Sequence, residues 1–269
     1  MVFCDLALSR RLERAEACSN ARFIECRARL DPALGAEWIE VGGAYALYDG
    51  PRSPCTQTFG LGLWQMPASQ DFEKLESFFT ARGAPVLHEV SPMADAELLP
   101  ALVERGYRPM ELSSVMFLPL LTRDQTQAEG TDAIPVTITT PGEAGLWART
   151  ATEGWRDFAE IADLMFDLMR VFASKTDAHT FLVELAGQPI AAGALSIHDG
   201  VALLAGASTI PEWRGRGVQR ALLKARLDFA AKADCDLAMM GAAPGSRSQR
   251  NAERNGFRMA YTRIKWGRP

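Results

Sequence analysis

Apolar positions along this chain change period often, which predicts alternating helices and strands. Leu8, Leu12 and Ala15 share one face of a helix predicted over Leu6–Ala17, and Ala21–Leu30 extends it beyond a break at Cys18-Ser19-Asn20. Glu37–Tyr48 alternates up to the turn signal Asp49-Gly50 and reads as one strand entering a hairpin or loop; Thr56–Trp64 is the next, after Pro51-Arg52-Ser53-Pro54. Phe72, Leu75 and Phe79 predict a helix over Gln70–Arg82, stopped by Gly83. A strand at Ala84–Val90, a helix at Ala94–Arg105 and a strand pair or one long strand at Tyr107–Leu118 follow. Thr122–Thr131, rich in Gln, Thr, Asp and Glu, has the composition of a linker.

The second half opens with a strand at Val136–Thr139 and a helix from Pro141 and Glu143 to Thr152, broken by Glu153-Gly154-Trp155-Arg156-Asp157. A second helix is predicted over Phe158–Phe172. Thr180–Leu185 and Pro189–Ile197 flank Ala186-Gly187-Gln188 as a hairpin, and His198-Asp199-Gly200 turns the chain into an apolar strand at Val201–Ala207. Val218, Leu222, Ala225 and Phe229 then mark one face of an amphipathic helix. Asp236–Met240 is a strand, Gly241–Ser246 a loop, Ser248–Asn255 a short helix and Phe257–Trp266 a final strand.

The halves echo each other. Glu104-Arg105-Gly106-Tyr107-Arg108 precedes Arg254-Asn255-Gly256-Phe257-Arg258 by about 150 positions, and each follows helix, strand, helix and leads into an apolar strand. This predicts two copies of one fold: residues 1–121 and 133–269, joined by a linker at 122–132.

One junction carries a chemical signal. Between the strand at Val201–Ala207 and the helix lies Thr209-Ile210-Pro211-Glu212-Trp213-Arg214-Gly215-Arg216-Gly217-Val218-Gln219-Arg220. Gly215 and Gly217 permit positive φ and close approach of the backbone to a ligand, and the unpaired N–H groups of the new helix converge on the same point. Phosphate is the natural occupant. Arg214, Arg216 and Arg220 add charge that suits a diphosphate. The first half has Met66-Pro67-Ala68-Ser69-Gln70 at the corresponding place, without glycine or arginine.

Composition narrows the classes. The 269 residues are 48% hydrophobic and 23% charged with a net charge of −4, an unfavourable balance for a nucleic-acid partner. Cys4, Cys18, Cys26, Cys55 and Cys235 are scattered without a C-x-x-C pair, which fits buried thiols in a reducing compartment. No run approaches the roughly 18 to 20 apolar residues of a membrane span, and Asp5, Arg10, Arg11 and Glu13 interrupt any signal-peptide core. A cytoplasmic protein with no membrane partner is expected. His88, His179 and His198, assigned to loops or strand ends, have no carboxylate or cysteine cluster in the sequence, so no metal is expected.

Arg214-Gly215-Arg216-Gly217-Val218 resembles the Q/R-x-x-G-x-G/A signature of the GNAT superfamily of N-acetyltransferases, with Gln219 where Gly or Ala is usual. Ser248-Gln249-Arg250-Asn251, followed by Gly256-Phe257, resembles that family's closing helix and its turn into the last strand. The order of elements from Val136 to Trp266 fits as well. The motif lies in the C-terminal half; the N-terminal half resembles the fold only, so the whole is similar to tandem GNAT proteins with one degenerate domain. The resemblance implies an α/β (α+β) fold of two GNAT-like domains, each a mixed, mostly antiparallel sheet flanked by helices.

It also implies acetyl transfer from acetyl-coenzyme A to the primary amine of a small molecule or peptide, by direct attack on the thioester. The pyrophosphate would sit on the N–H groups of Gly215, Arg216, Gly217, Val218, Gln219 and Arg220 with Arg214 as further counter-charge, the pantetheine arm along Ser208 and Thr209, and Asn251 on the closing helix near the coenzyme. Many members carry an acidic tyrosine where this chain has Ala252; Tyr261 lies beyond that point. Glu153 and Asp157 beside Trp155 are candidate bases, Ser208 a candidate for ordering a water, and Glu184 a weaker candidate. Trp155, Phe158, Met165 and Phe166 offer an apolar wall for the acceptor. For the first domain three roles stay open: covering the cleft, donating part of it, or forming a homodimer surface.

Two other readings compete. A dinucleotide fingerprint, G-x-G-x-x-G with Asp234 or Asp236 as the ribose acid, lacks its third glycine, and hairpins precede the loop instead of a βαβ unit. A coenzyme-A-binding or structural pseudoenzyme would follow from the missing tyrosine.

Overall fold

A computed structural model describes residues 3–120, 134–157 and 162–268. The expected linker at 122–132 and the first four residues of the helix expected from Phe158 lie outside them. The chain divides into two compact units, Met1–Leu118 with Met239–Pro269, and Pro119–Ala238.

In the first unit, helix α1 (Leu6–Leu30) packs on a sheet of β1 (Glu37–Val41), β2 (Ala44–Tyr48), β3 (Gln57–Phe59), β4 (Val86–Val90) and β5 (Arg108–Pro119), completed by the C-terminal strand β11 (Arg258–Arg268). Neighbouring strands run antiparallel except β3 and β4, and β11 lies between β4 and β5. Ala44, Ala46 and Tyr48 enter a core with Phe72, Leu75 and Phe79 of α2 (Ser69–Thr80) and Leu98 and Leu102 of α3 (Leu98–Glu104). Tyr45 belongs to the α1 side, where the Arg14 guanidinium lies 4.8 Å over its ring.

Several expectations change here. The break at Cys18-Ser19-Asn20 does not occur. Helix α1 is continuous for 25 residues, because the Asn20 amide folds back to donate to the Glu16 carbonyl at 2.9 Å and Ser19 is small enough to be buried. Glu37–Tyr48 is a hairpin rather than one strand: Gly42 and Gly43 both take positive φ, the geometry of a two-residue hairpin turn. Thr56–Trp64 is strand only at Gln57–Phe59, with Leu61 and Leu63 buried from the loop beyond. Tyr107–Leu118 resolves as one long strand. His88 lies within β4 and is fully buried; burial pushes its imidazole down to about 3, so it stays neutral.

The repeated pentapeptides form the same cap. Gly106 and Gly256 follow α3 and α7 (Arg247–Arg254) with φ of +84° and +91°. The Tyr107 N–H donates to the Leu102 carbonyl at 2.9 Å, and the Phe257 N–H to the Ala252 carbonyl at 3.1 Å. Tyr107 and Phe257 are both buried.

A buried ionic cluster joins α1 to β4 and β11. Arg263 bonds Glu13 and Glu16 and pairs with Glu89 at 3.0 Å, and the Tyr261 hydroxyl donates to Glu13 at 2.8 Å. Tyr261 is thereby a core residue of the first unit.

In the second unit β6 (Val136–Ile138), β7 (Ala178–Leu185), β8 (Gln188–His198) and β9 (Val201–Thr209) form an antiparallel sheet in sequence order. One face is covered by α4 (Ala144–Glu153) and α5 (Ala162–Ala173), through Trp147, Ala148 and Ala151 against Leu182, Ala192 and Ala194. Helix α6 (Val218–Lys232) covers the other, where Phe229 meets Phe181 edge to face. Strand β10 (Leu237–Ala242) follows α6.

Candidate active site

Strand β9 ends at Thr209, a short 3-10 turn at Pro211–Trp213 follows, and Gly217 is the N-cap of α6. Gly215 and Gly217 have φ of +79° and +81°. A Cβ on Gly215 would meet nothing within 4 Å, and one on Gly217 only Ile134 at 4.0 Å, so the space beside both glycines is open. No side chain caps α6. The Arg220 N–H donates to the Gly217 carbonyl at 3.0 Å; the N–H groups ahead of it have no side-chain cap, with the positive end of the dipole of a 15-residue helix behind them.

The three arginines differ. The Arg214 guanidinium turns away from the loop, donating to the Thr209 carbonyl at 3.1 Å, the Gly154 carbonyl at 2.7 Å and the Asp157 carboxylate at 2.6 Å. It is a strut between the loop and the end of α4. Arg216, stacked 4.8 Å over the Trp213 ring, and Arg220 are exposed. Gln219, the departure from the signature, donates to Thr209 Oγ1 at 2.6 Å and ties the first turn of α6 to β9. Val218 is buried beneath it.

Ser208 is buried, and its hydroxyl donates to the Ala151 carbonyl at 2.8 Å, in the last turn of α4. Ser208 and Arg214 thus take carbonyls that the end of that helix leaves unpaired. Glu153 is exposed and pairs with Arg156 at 2.7 Å; Arg156 also bonds Glu212. These three line a cleft of about 530 Å³ with Gln188, Ile210, Trp213 and Arg216. Asp157 is held by Arg214, and Glu184 is half-buried on β7. Asn251 lies on α7, in the first unit, where its carbonyl accepts from Asn255 at 2.7 Å. Ala252 is buried. Phe158 lies outside the described residues.

A feature not anticipated from the sequence lies upstream on β9. Ala192 pairs with Ser208 and Ala194 with Ala205, so Gly193 stands opposite two residues, Gly206 and Ala207: a β-bulge. Gly206 has φ of +59°. The clue in the sequence is a glycine inside each of two predicted strands.

Residues 146–257 match the model of the Acetyltransferase (GNAT) family. The chain carries a GNAT acetyltransferase domain. The match supports acetyl transfer in general and runs from α4 to the turn before β11. No curated protein matches the sequence. Among solved structures, a GCN5-related N-acetyltransferase from Kribbella flavida is similar with a TM-score of 0.65 and 19% identity over 93% of this chain and 95% of that one. A GCN5-related N-acetyltransferase from Sphaerobacter thermophilus has a TM-score of 0.56 at 16% identity, over 84% and 76%. A tandem GNAT protein from the clavulanic acid biosynthesis pathway has 0.57 at 12%, over 84% and 82%. These likenesses show the fold, a mixed α/β arrangement of mostly antiparallel strands flanked by helices, over most of the chain. Among the described residues no helix is long and apolar enough to cross a membrane, and no group of His, Cys, Asp or Glu is placed to hold a metal ion.

Proposed function

We propose that this protein transfers the acetyl group of acetyl-coenzyme A to a primary amine. The observation that carries the reading is the uncapped N-terminus of α6 beneath an open glycine loop. The pyrophosphate would take the N–H groups from Gly215 to Gln219, the Arg220 N–H donating to the Gly217 carbonyl at 3.0 Å, with the exposed Arg216 and Arg220 side chains as counter-charge, and the pantetheine arm would follow Ser208 and Thr209 on β9. The neutral amine attacks the thioester carbon, the carbon–sulfur bond breaks, the nitrogen gives up one proton as the amide forms, and the coenzyme leaves as a thiolate that takes up one. Glu153, on the wall of the cleft, is the carboxylate offered to the ammonium proton of the acceptor.

The first half is read as a degenerate copy. At its corresponding helix start the Asp71 carboxylate accepts from the Ala68 N–H at 3.0 Å, so an acid occupies the place where an anion would bind. One observation favours a second reading, a coenzyme-binding protein that does not turn over: the position of the family's acidic tyrosine is the buried Ala252.

Thermal shift with acetyl-coenzyme A separates these readings from neither. Stabilisation of the wild type and its loss in Gly217→Glu support coenzyme binding; no stabilisation of the wild type removes it. Thiol release across a panel of primary amines then distinguishes the enzyme from the silent binder.

A further inference from the structure

The bulge on β9 is held from both faces of the sheet. On the α4 side the fully buried Trp147 donates its indole N–H to the Gly193 carbonyl at 3.1 Å and the Phe181 carbonyl at 3.2 Å. Its ring fills the space beside Gly206, where a Cβ would come within 3.0 Å. On the α6 side the buried Arg226 donates to the Ala194 carbonyl at 3.2 Å, approaches the Ala205 carbonyl at 3.5 Å, and bonds the Leu222 carbonyl of its own helix at 3.3 Å. A Cβ on Gly193 would lie 2.8 Å from Leu222 and 3.3 Å from the Arg226 guanidinium. Gly206 thus leaves room for Trp147, and Gly193 for Leu222 with the Arg226 guanidinium beside it.

Packing alone does not explain Arg226. Its partners are carbonyls, and burial pushes its guanidinium down to about 10. An unbranched apolar side chain would fill the same volume without the cost of desolvating a cation. What the guanidinium adds is one nitrogen, Nη1, that meets two carbonyls on adjacent strands, at the first matched pair beyond the bulge. A bulge frees backbone groups from the ladder and re-aims them.

We propose that Arg226 and Trp147 are positioning residues: by fixing the Gly193, Ala194 and Ala205 carbonyls they set the direction in which the backbone of Gly206 and Ala207 faces the acyl donor. This rests on the acetyl-coenzyme A reading, because Ser208 and Thr209, next along β9, are the residues proposed for the pantetheine arm. The acyl carbonyl would then meet a pre-aimed backbone N–H, where correct direction matters most as the oxyanion develops.

The test uses the full chain as wild type, Arg226→Met, Arg226→Lys and Trp147→Phe. Amide hydrogen exchange over residues 204–209, without coenzyme, reads the bulge directly. Thermal shift with acetyl-coenzyme A and thiol release with a primary amine read the site. The expected result is faster exchange at Gly206 and Ala207 in Arg226→Met and Trp147→Phe. A displacement of this kind should lower kcat by about 10- to 100-fold while KM for acetyl-coenzyme A moves by less than about threefold. Arg226→Lys should recover part of the loss. Unchanged exchange in both variants overturns the proposal, as does altered exchange with unchanged kcat. If Arg226→Met does not fold, Trp147→Phe, which removes the donor together with part of the buried ring, decides jointly with Arg226→Lys. A wild type that neither binds acetyl-coenzyme A nor releases thiol overturns the reading of function, and with it the role of the clamp in catalysis, while the exchange data still show whether the clamp holds the bulge.

Discussion

Arg214 and Gly154, 60 positions apart, are joined by a hydrogen bond of 2.7 Å from the guanidinium to the last carbonyl region of α4. A cation at a helix C-terminus is favourable on its own, and the same guanidinium also reaches Thr209 and Asp157. The residue expected as counter-charge for a diphosphate is therefore already occupied. Arg214→Lys keeps the charge but cannot reproduce the three-way geometry. It should lower stability without coenzyme by about 1 kcal/mol, given its partial exposure, as read by urea denaturation.

Arg216→Ala and Arg220→Ala should behave oppositely. Neither side chain is buried, so unfolding midpoints should stay within about 0.5 kcal/mol of wild type. Binding of acetyl-coenzyme A should weaken several-fold, and the difference from wild type should shrink as salt is raised. Titration calorimetry at two ionic strengths checks both, and a loss that is independent of salt would count against a counter-charge role.

Much of the loop was legible in the sequence because two glycines and a helix start constrain the backbone whatever surrounds them. The destination of each arginine was not, since three neighbouring residues of one type look alike until the end of α4 is brought beside the loop. The hairpin at Gly42-Gly43 was missed for a related reason: alternation continues across it, so the pattern of side chains gives no sign that the backbone has reversed. The partners of β11 were also hidden. Its apolar alternation predicts a strand, but which strands flank it depends on contacts made more than 140 positions away, with β4 and β5. The place of Arg226 was hidden too, because it depends on the glycine that faces it from β8.

Gly154 is needed for size. A Cβ there would come within 2.4 Å of Ser208 Cβ and Oγ and 3.1 Å of the Thr209 amide nitrogen, so the end of α4 rests directly on the end of β9. Gly154→Ala should cost about 1–3 kcal/mol by overpacking and push Ser208 out of register with Ala151. Chemical denaturation gives the first effect. The second should appear as a smaller thermal shift with acetyl-coenzyme A than the loss of stability alone explains.

The cluster around Glu13 makes stability depend on pH. Burial pushes the Glu13 carboxyl up to about 7, against the pull of the Arg263 guanidinium and with repulsion from Glu16 and Glu89 adding to the rise; the Tyr261 hydroxyl also donates to it. The unperturbed carboxyl titrates near 4.5. Between about 4.5 and about 7 the folded protein therefore holds a proton that the unfolded chain has released, and stability from this group falls as pH rises through that window. It is fully present below the window and gone above it. Glu13→Gln keeps an oxygen to accept from Tyr261 and Arg263 but cannot titrate. In this variant the decline in unfolding free energy across the window should be shallower than in the wild type, measured by urea denaturation at several pH values. Equal slopes would mean that Glu13 is ionised throughout, with Arg263 outweighing burial.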